Sequence, residues 1–133
     1  MAVYNIGPQG VSVISPPARE TLTKIGKIEA GDGSTAFAAF GIPAYAFIVG
    51  VYTISMGANA TQTVNAGFSA SGTELINGFA PNATGYATTG AQTGSAVGTQ
   101  VTSDKTVYLK ASATLTNPVY VKVEYYIPTG AAF

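Results

Sequence analysis

Between Asp32 and Asp104 the chain carries one charged side chain, Glu74. Inside that stretch, residues 35–56 (TAFAAFGIPAYAFIVGVYTISM) have no charge at all. Such a segment has three places to go: a lipid bilayer, the protein's own core, or a surface covered by another chain. About 20 apolar residues suffice to span a bilayer as a helix, so length alone permits the first. The residues argue against it. Gly41 and Pro43 interrupt the run, and no Lys or Arg cluster flanks it. Tyr45, Phe47, Ile48, Val49, Val51, Tyr52 and Ile54 are β-branched or aromatic, types that favour a pleated strand. The run therefore reads as two strands divided by a turn at Pro43, and no membrane partner is expected.

Alternation of period two extends this reading to the rest of the chain. In residues 61–70, Val64, Ala66, Phe68 and Ala70 share one face. In residues 105–113, Val107, Leu109, Ala111 and Ala113 alternate with Thr106, Tyr108, Lys110 and Ser112. In residues 117–128, Val119, Val121, Val123, Tyr125 and Ile127 are expected inside, with Tyr120, Lys122, Glu124 and Tyr126 outside. Pro118 and Pro128 bracket that strand, where ladder pairing begins and ends. Turn-forming clusters recur at 31–34, 41–44, 56–60, 69–72, 80–85, 102–104 and 116–118. A chain of 133 residues punctuated in this way is expected to form one all-β domain, an antiparallel β-sandwich of jelly-roll-like type, over residues 18–133.

Three segments are less regular. Residues 1–17, with Pro8, Pro16 and Pro17, read as an extended N-terminal arm that packs on a partner. Residues 21–29 fit a strand better than a short helical turn, because Thr21, Thr23, Ile25 and Gly26 are poor helix formers. Residues 85–100 read as a long loop or a weakly specified edge strand. Residues 44–56 differ from the other strands in being apolar on both faces. Ile48, Tyr52, Ile54 and Met56 are expected on one side, and Tyr45, Phe47, Val49 and Val51 on the other. A strand apolar on both sides lies under two layers, its own core and a partner.

Composition narrows the chemistry. Charged residues are 9% of the chain, against about 25% in an average soluble domain. Net charge is zero and the lysines are scattered, so the clustered cations that bind nucleic-acid phosphates are missing. There is no cysteine or histidine, which removes thiolate chemistry, disulfides, most zinc sites and the usual general base. The six carboxylates sit in turns or on strand faces, with no pairing in sequence that would make an acid–base site. No enzyme activity, cofactor or metal site is expected. Asn59-Ala-Thr61 and Asn82-Ala-Thr84 match the N-glycosylation pattern, but the start, MAVYNIGPQG, has no secretory signal character, so synthesis in a cytoplasm and a chance match are the simplest reading. Tyr108, Tyr120 and Tyr126, expected on outer faces, suit sheet stabilisation, a subunit interface or stacking on sugar rings.

The motifs also carry a resemblance. FGIPAYAFIVGVYTISM resembles the hydrophobic strand entered through an Ile/Leu-Pro-Ala turn in small jelly-roll proteins of tailed-phage virions. ATQTVNAGFSASGTELING resembles the segment that follows it there, and KTVYLKASATLTNPVYVKVEYYIP their closing hairpin. The resemblance spans about residues 21–128. It implies a capsid decoration (cement) or head-fibre type protein, made in the host bacterial cytoplasm and placed on the outer capsid surface. It further implies a homo-oligomer, a trimer in the common case, with the major capsid protein or another virion protein as partner. Tyr45 departs from the pattern, standing where a small or polar residue is more usual. On this reading Tyr45, Phe47, Val49 and Val51 form a subunit interface, and Val3, Tyr4, Ile6, Val11, Val13 and Ile14 attach the arm to the shell. The competing expectation is a carbohydrate-binding or adhesin-like module that contacts glycans through its tyrosines and loops.

Overall fold

The strand that alternates most regularly in sequence lies inside its sheet. In Val119–Tyr126 every second residue (Val119, Val121, Val123, Tyr125) is buried and the residues between are half-buried. The computed structural model describes residues 21–81 and 87–128. Among these are eight strands: β1 (Leu22–Ile28), β2 (Phe37–Ile42), β3 (Phe47–Ser55), β4 (Val64–Gly67), β5 (Ile76–Phe79), β6 (Ala87–Ala91), β7 (Lys105–Ala111) and β8 (Val119–Tyr126). No helix occurs among the described residues.

The strands form two four-stranded sheets, ordered β1-β8-β3-β6 and β2-β7-β4-β5. All ladders are antiparallel. The pairs β1·β8, β2·β7, β3·β6 and β4·β5 are those of one long hairpin rolled over on itself. That winding makes a jelly-roll-like β-sandwich. Between the sheets lie Ile28, Ile42, Ile48, Val51, Val64, Leu75, Ile76, Val107, Leu109, Leu115, Val119, Val121 and Val123, all essentially inaccessible to solvent. Each such side chain contributes about 1.5–3 kcal/mol on burial, a gain offset by the entropy of ordering the chain.

The uncharged run folds as β2, a turn and β3, and residues 21–29 supply strand β1. Within 85–100 the chain forms strand β6 at the edge of the first sheet and then a turn at 95–98. The split of β3 into two faces differs from the simple alternation. Ile48 pairs with Tyr125 but Gly50 pairs with Glu124, so Val49 is an extra residue at a β-bulge. Beyond the bulge the parity inverts: Val51, Thr53 and Ser55 point into the core, while Tyr52 and Ile54 point out.

One buried polar group ties the sandwich together at its end. Asn59 is wholly buried in the loop between β3 and β4. Its Oδ1 accepts from the backbone N–H groups of Thr116 (2.8 Å) and Asn117 (2.9 Å), and its Nδ2 donates to the Asn117 carbonyl at 3.0 Å. Residues 116–117 lie in the connection from β7 to β8, which passes from one sheet to the other. With its amide committed to these bonds, Asn59 is a structural staple and has no free nitrogen for a glycan. Asn82 of the second matching triplet lies outside the described residues.

Candidate interaction surface

The outward face of the β1-β8-β3-β6 sheet follows from the register. Ile25, Lys122 and Tyr52 stand opposite one another across β1, β8 and β3; so do Lys27, Tyr120 and Ile54. These two rows enclose a shallow groove of ≈ 230 Å³ lined by Ile25, Tyr52, Ile54, Tyr120 and Lys122. Ile25 is 61% exposed and Ile54 39%. Isolated exposed isoleucines are ordinary, but two on one groove with two tyrosines form an apolar patch.

The charges on this face are matched within it. Lys27 pairs with Glu29 at 3.1 Å and its ammonium lies 5.3 Å from the centre of the Tyr120 ring. Lys122 pairs with Glu124 at 3.0 Å and lies 5.0 Å from the centre of the Tyr52 ring. The Glu29 carboxylate, helped by the Tyr120 hydroxyl, raises the pKa of Lys27 above the ordinary lysine value. Gly50 lets the Tyr52 side chain lie back along its own strand: a Cβ at position 50 would come within 2.6 Å of the Tyr52 hydroxyl. The aromatic thus covers the glycine that ends the bulge.

At the end of the same sheet, Phe47 and Tyr126 are register partners whose rings stand 5.5 Å apart, tilted by 36°. Next to them in the chain, Tyr45 is 50% exposed in the turn that leads from β2 to β3. It is the one non-glycine residue described with a positive φ, 69°. That left-handed conformation costs a residue with a Cβ about 1–2 kcal/mol. The backbone there is held by hydrogen bonds: Tyr45 N–H donates to the Val101 carbonyl at 2.8 Å, and the Tyr45 carbonyl accepts from Gln100 Nε2 at 2.9 Å. The preceding N–H, of Ala44, donates to Asp104 Oδ1 at 2.8 Å.

Of the four residues expected on one stripe, then, Tyr45, Phe47 and Val49 reach the surface and Val51 does not. Val51 has no exposed area and belongs to the core, because the bulge at Val49 shifts it by one position. Tyr108, Tyr120 and Tyr126 are half-buried, not fully exposed. Tyr120 and Tyr126 share the outward face of the first sheet, whereas Tyr108 lies on the other sheet, opposite Ala38 and Gly67. Val3, Tyr4, Ile6, Val11, Val13 and Ile14, and with them the arm at 1–17, lie outside the described residues. The sequence reading passed over Ile25, Tyr52 and Ile54 as a group. Their signal was present: Gly50 within an apolar strand marks a bulge, and an inward Ile28 places Ile25 outward.

Among the described residues no three His, Cys, Asp or Glu side chains gather as a metal-donor set. A wider recess of ≈ 390 Å³ opens at the end of β1, with Lys27, Glu29, Asp32 and Phe37 among its lining. Its one lysine is the one already paired with Glu29.

No protein-family model matches the sequence, and comparison with characterised proteins gives no match either. Solved structures do resemble the fold. A chain of the cyanophage Pam1 capsid asymmetric unit is similar with a TM-score of 0.61 and 22% identity, covering 82% of this chain and 86% of its own. A chain of the capsid of Ralstonia phage GP4 gives a TM-score of 0.61 at 14% identity, covering 88% and 90%. A chain of the acidic stable capsid of Helicobacter pylori bacteriophage KHP30 gives 0.55 at 16% identity, covering 83% and 94%. At these identities the likeness is one of fold, and it runs over nearly the whole length of both partners: this chain has the β-sandwich seen in chains of three phage capsids.

Proposed function

We propose that the protein is a non-enzymatic structural component of a bacteriophage virion, and within the virion a decoration (cement) protein on the outer capsid surface. The observation that carries the reading is the near end-to-end correspondence with chains of three phage capsid structures, with little left over on either side. The surface chemistry fits it. A weakly charged sandwich with an apolar outer face is a poor free monomer and a good subunit, since association needs little desolvation of ions. Such a protein acts by burying surface across the joints between capsomers, so that opening a joint exposes apolar area. Tyr45, Phe47 and Val49, with the arm at 1–17, are the elements proposed to make those contacts, in an oligomer for which a trimer is the expected order.

The carbohydrate-binding alternative needs aromatic faces open to a sugar ring. Here Lys27 lies over Tyr120, Lys122 over Tyr52, and Phe47 leans on Tyr126. Those rings are already engaged, which favours the structural reading.

The test is to purify virus particles that encode this chain and quantify it by mass spectrometry against the major capsid protein. Copies in fixed proportion to the shell, and particles that lose DNA at a lower temperature when the protein is stripped, are the expected results. Absence from washed particles would sink the proposal.

A further inference from the structure

We propose that Asn77–Gly78 is a site of non-enzymatic covalent modification, at which Asn77 closes to a succinimide and reopens as aspartate or isoaspartate, and that the Asn65 side chain holds its rate down. Of the asparagines in the sequence only Asn77 precedes a glycine. A residue without a Cβ leaves its backbone nitrogen least hindered for attack on the side chain before it. The fold leaves this dipeptide open. β5 is the edge strand of the second sheet. Val64 pairs with Phe79 and Ala66 with Ile76, so Asn77 and Gly78 together face Asn65 in a β-bulge. Both are exposed, between buried Ile76 and Phe79. Gly78 has a φ of 80°, and a Cβ added there would meet nothing within 4 Å. Its N–H donates to Asn65 Oδ1 at 2.7 Å.

The chemistry needs only water. The Gly78 nitrogen gives up its proton and attacks Cγ of Asn77. The N–Cγ bond forms, the Cγ–Nδ2 bond breaks, and Nδ2 leaves as ammonia with that proton. Water then opens the ring at Cγ, giving aspartate, or at the main-chain carbonyl of residue 77, giving isoaspartate. Before this the nitrogen must turn onto Cγ, which a bulge on an edge strand allows by local opening. Its bond to Asn65 must also break, because a deprotonated nitrogen would face the Asn65 oxygen lone pair to lone pair. Asn65 is thus a positioning residue that keeps the nitrogen protonated and turned away. The product adds a carboxylate to a stretch in which Glu74 is the only charge. Lys110, opposite Asn65 on β7, has no ion pair among the described residues, so the new charge arises on the same face as an unmatched cation. The inference does not rest on the virion reading, because it concerns the purified chain alone.

The test is to incubate the full chain in warm, mildly alkaline buffer and follow every asparagine by peptide mass mapping, with isoaspartate read by enzymatic methylation. Asn77 should convert before any other asparagine, and more slowly in the folded chain than in urea. Asn65→Ala should raise the rate in the folded chain about two- to tenfold, the range that loss of one net hydrogen bond sets. Asn65→Asp keeps an acceptor for the Gly78 N–H and should stay near the native rate. Near-ultraviolet circular dichroism and the melting temperature report that both variants are folded, and the measurement on the native chain depends on neither. Asn77 still intact in the folded chain after complete conversion in urea would overturn the site, as would earlier conversion of another asparagine. A folded Asn65→Ala that converts at the native rate would overturn the role given to Asn65. The virion proposal would survive each of these results, because particle association is measured separately.

Discussion

The two sheets use the same alternation inward and opposite chemistry outward. Toward the core both present Val, Ile and Leu. Outward, the sheet of β2, β7, β4 and β5 shows Ala38, Gly41, Thr106, Lys110 and Asn65, small or polar apart from Tyr108. The sheet of β1, β8, β3 and β6 shows Ile25, Phe47, Tyr52, Ile54, Tyr120 and Tyr126. Among the described residues, none of the large hydrophobic side chains that stand exposed belongs to the outward face of the polar sheet; Phe37 is aligned with inward Leu109 at a strand end. The difference teaches that low charge is not spread evenly over this protein. One face meets water through small and polar side chains, Lys110 among them, and the other is large and apolar with its charges paired within it.

The sharpest way to break the comparison is to confuse inside with outside within β3. Val51→Asp puts a carboxylate among the core residues, where an unpaired ion costs several kcal/mol; the variant is expected to be unfolded by circular dichroism. Val49→Asp, one turn of the alternation away at the bulge, is 41% exposed and should cost less than about 1 kcal/mol. Equal destabilisation of the two by urea unfolding would mean that the bulge is wrongly placed. Asn59→Ala comes next. It leaves the Thr116 and Asn117 N–H groups without their acceptor and should cost about 2–4 kcal/mol in the same assay. Because this side chain fixes the crossing from one sheet to the other, the loss should appear as global unfolding, not local fraying.

Tyr45 gives a smaller effect of opposite sign. Glycine adopts positive φ without a Cβ penalty, so Tyr45→Gly should raise stability, by at most about 1 kcal/mol. A residue that costs stability and stands half-exposed is a candidate for contact with a partner. The expected pattern is therefore a higher unfolding midpoint together with weaker binding to particles. A variant that is both more stable and fully competent would remove Tyr45 from the contact surface.

Much of this was legible in the sequence, and the reasons for the exceptions are physical. The inward set on β8 could be read directly, since Val119, Val121, Val123 and Tyr125 keep strict period two between two prolines. On β3 the same rule failed after Val49, because one inserted residue inverts every later position. Thr53 and Ser55 are polar by type and buried by place, so the inverted parity also looked chemically reasonable. The apolar groove was missed for a different reason. Its residues lie on three strands, and only the register brings Ile25 beside Lys122 and Tyr52. Asn59 could not be recognised as a staple because its partners are nearly sixty positions away in the chain.

The smallest expected effect tests how the contact face neutralises its own charge. Lys27 has its pKa raised above the unfolded value of 10.5, chiefly by its hydrogen bond with Glu29 and then by that with Tyr120. A folded-state value above the unfolded one means that the charged lysine favours the folded state. Its contribution is fully present below pH 10.5 and is lost as pH rises through the raised folded value. The measurement is a difference, so that groups common to both proteins cancel: the urea midpoint of the native chain minus that of Lys27→Met, followed from neutral pH upward. From neutrality upward the difference should be small and flat at first, and should shrink on the alkaline side as Lys27 loses its proton. If the difference does not shrink on the alkaline side, the charged Lys27 does not favour the folded chain and its pairing with Glu29 is not what neutralises the face.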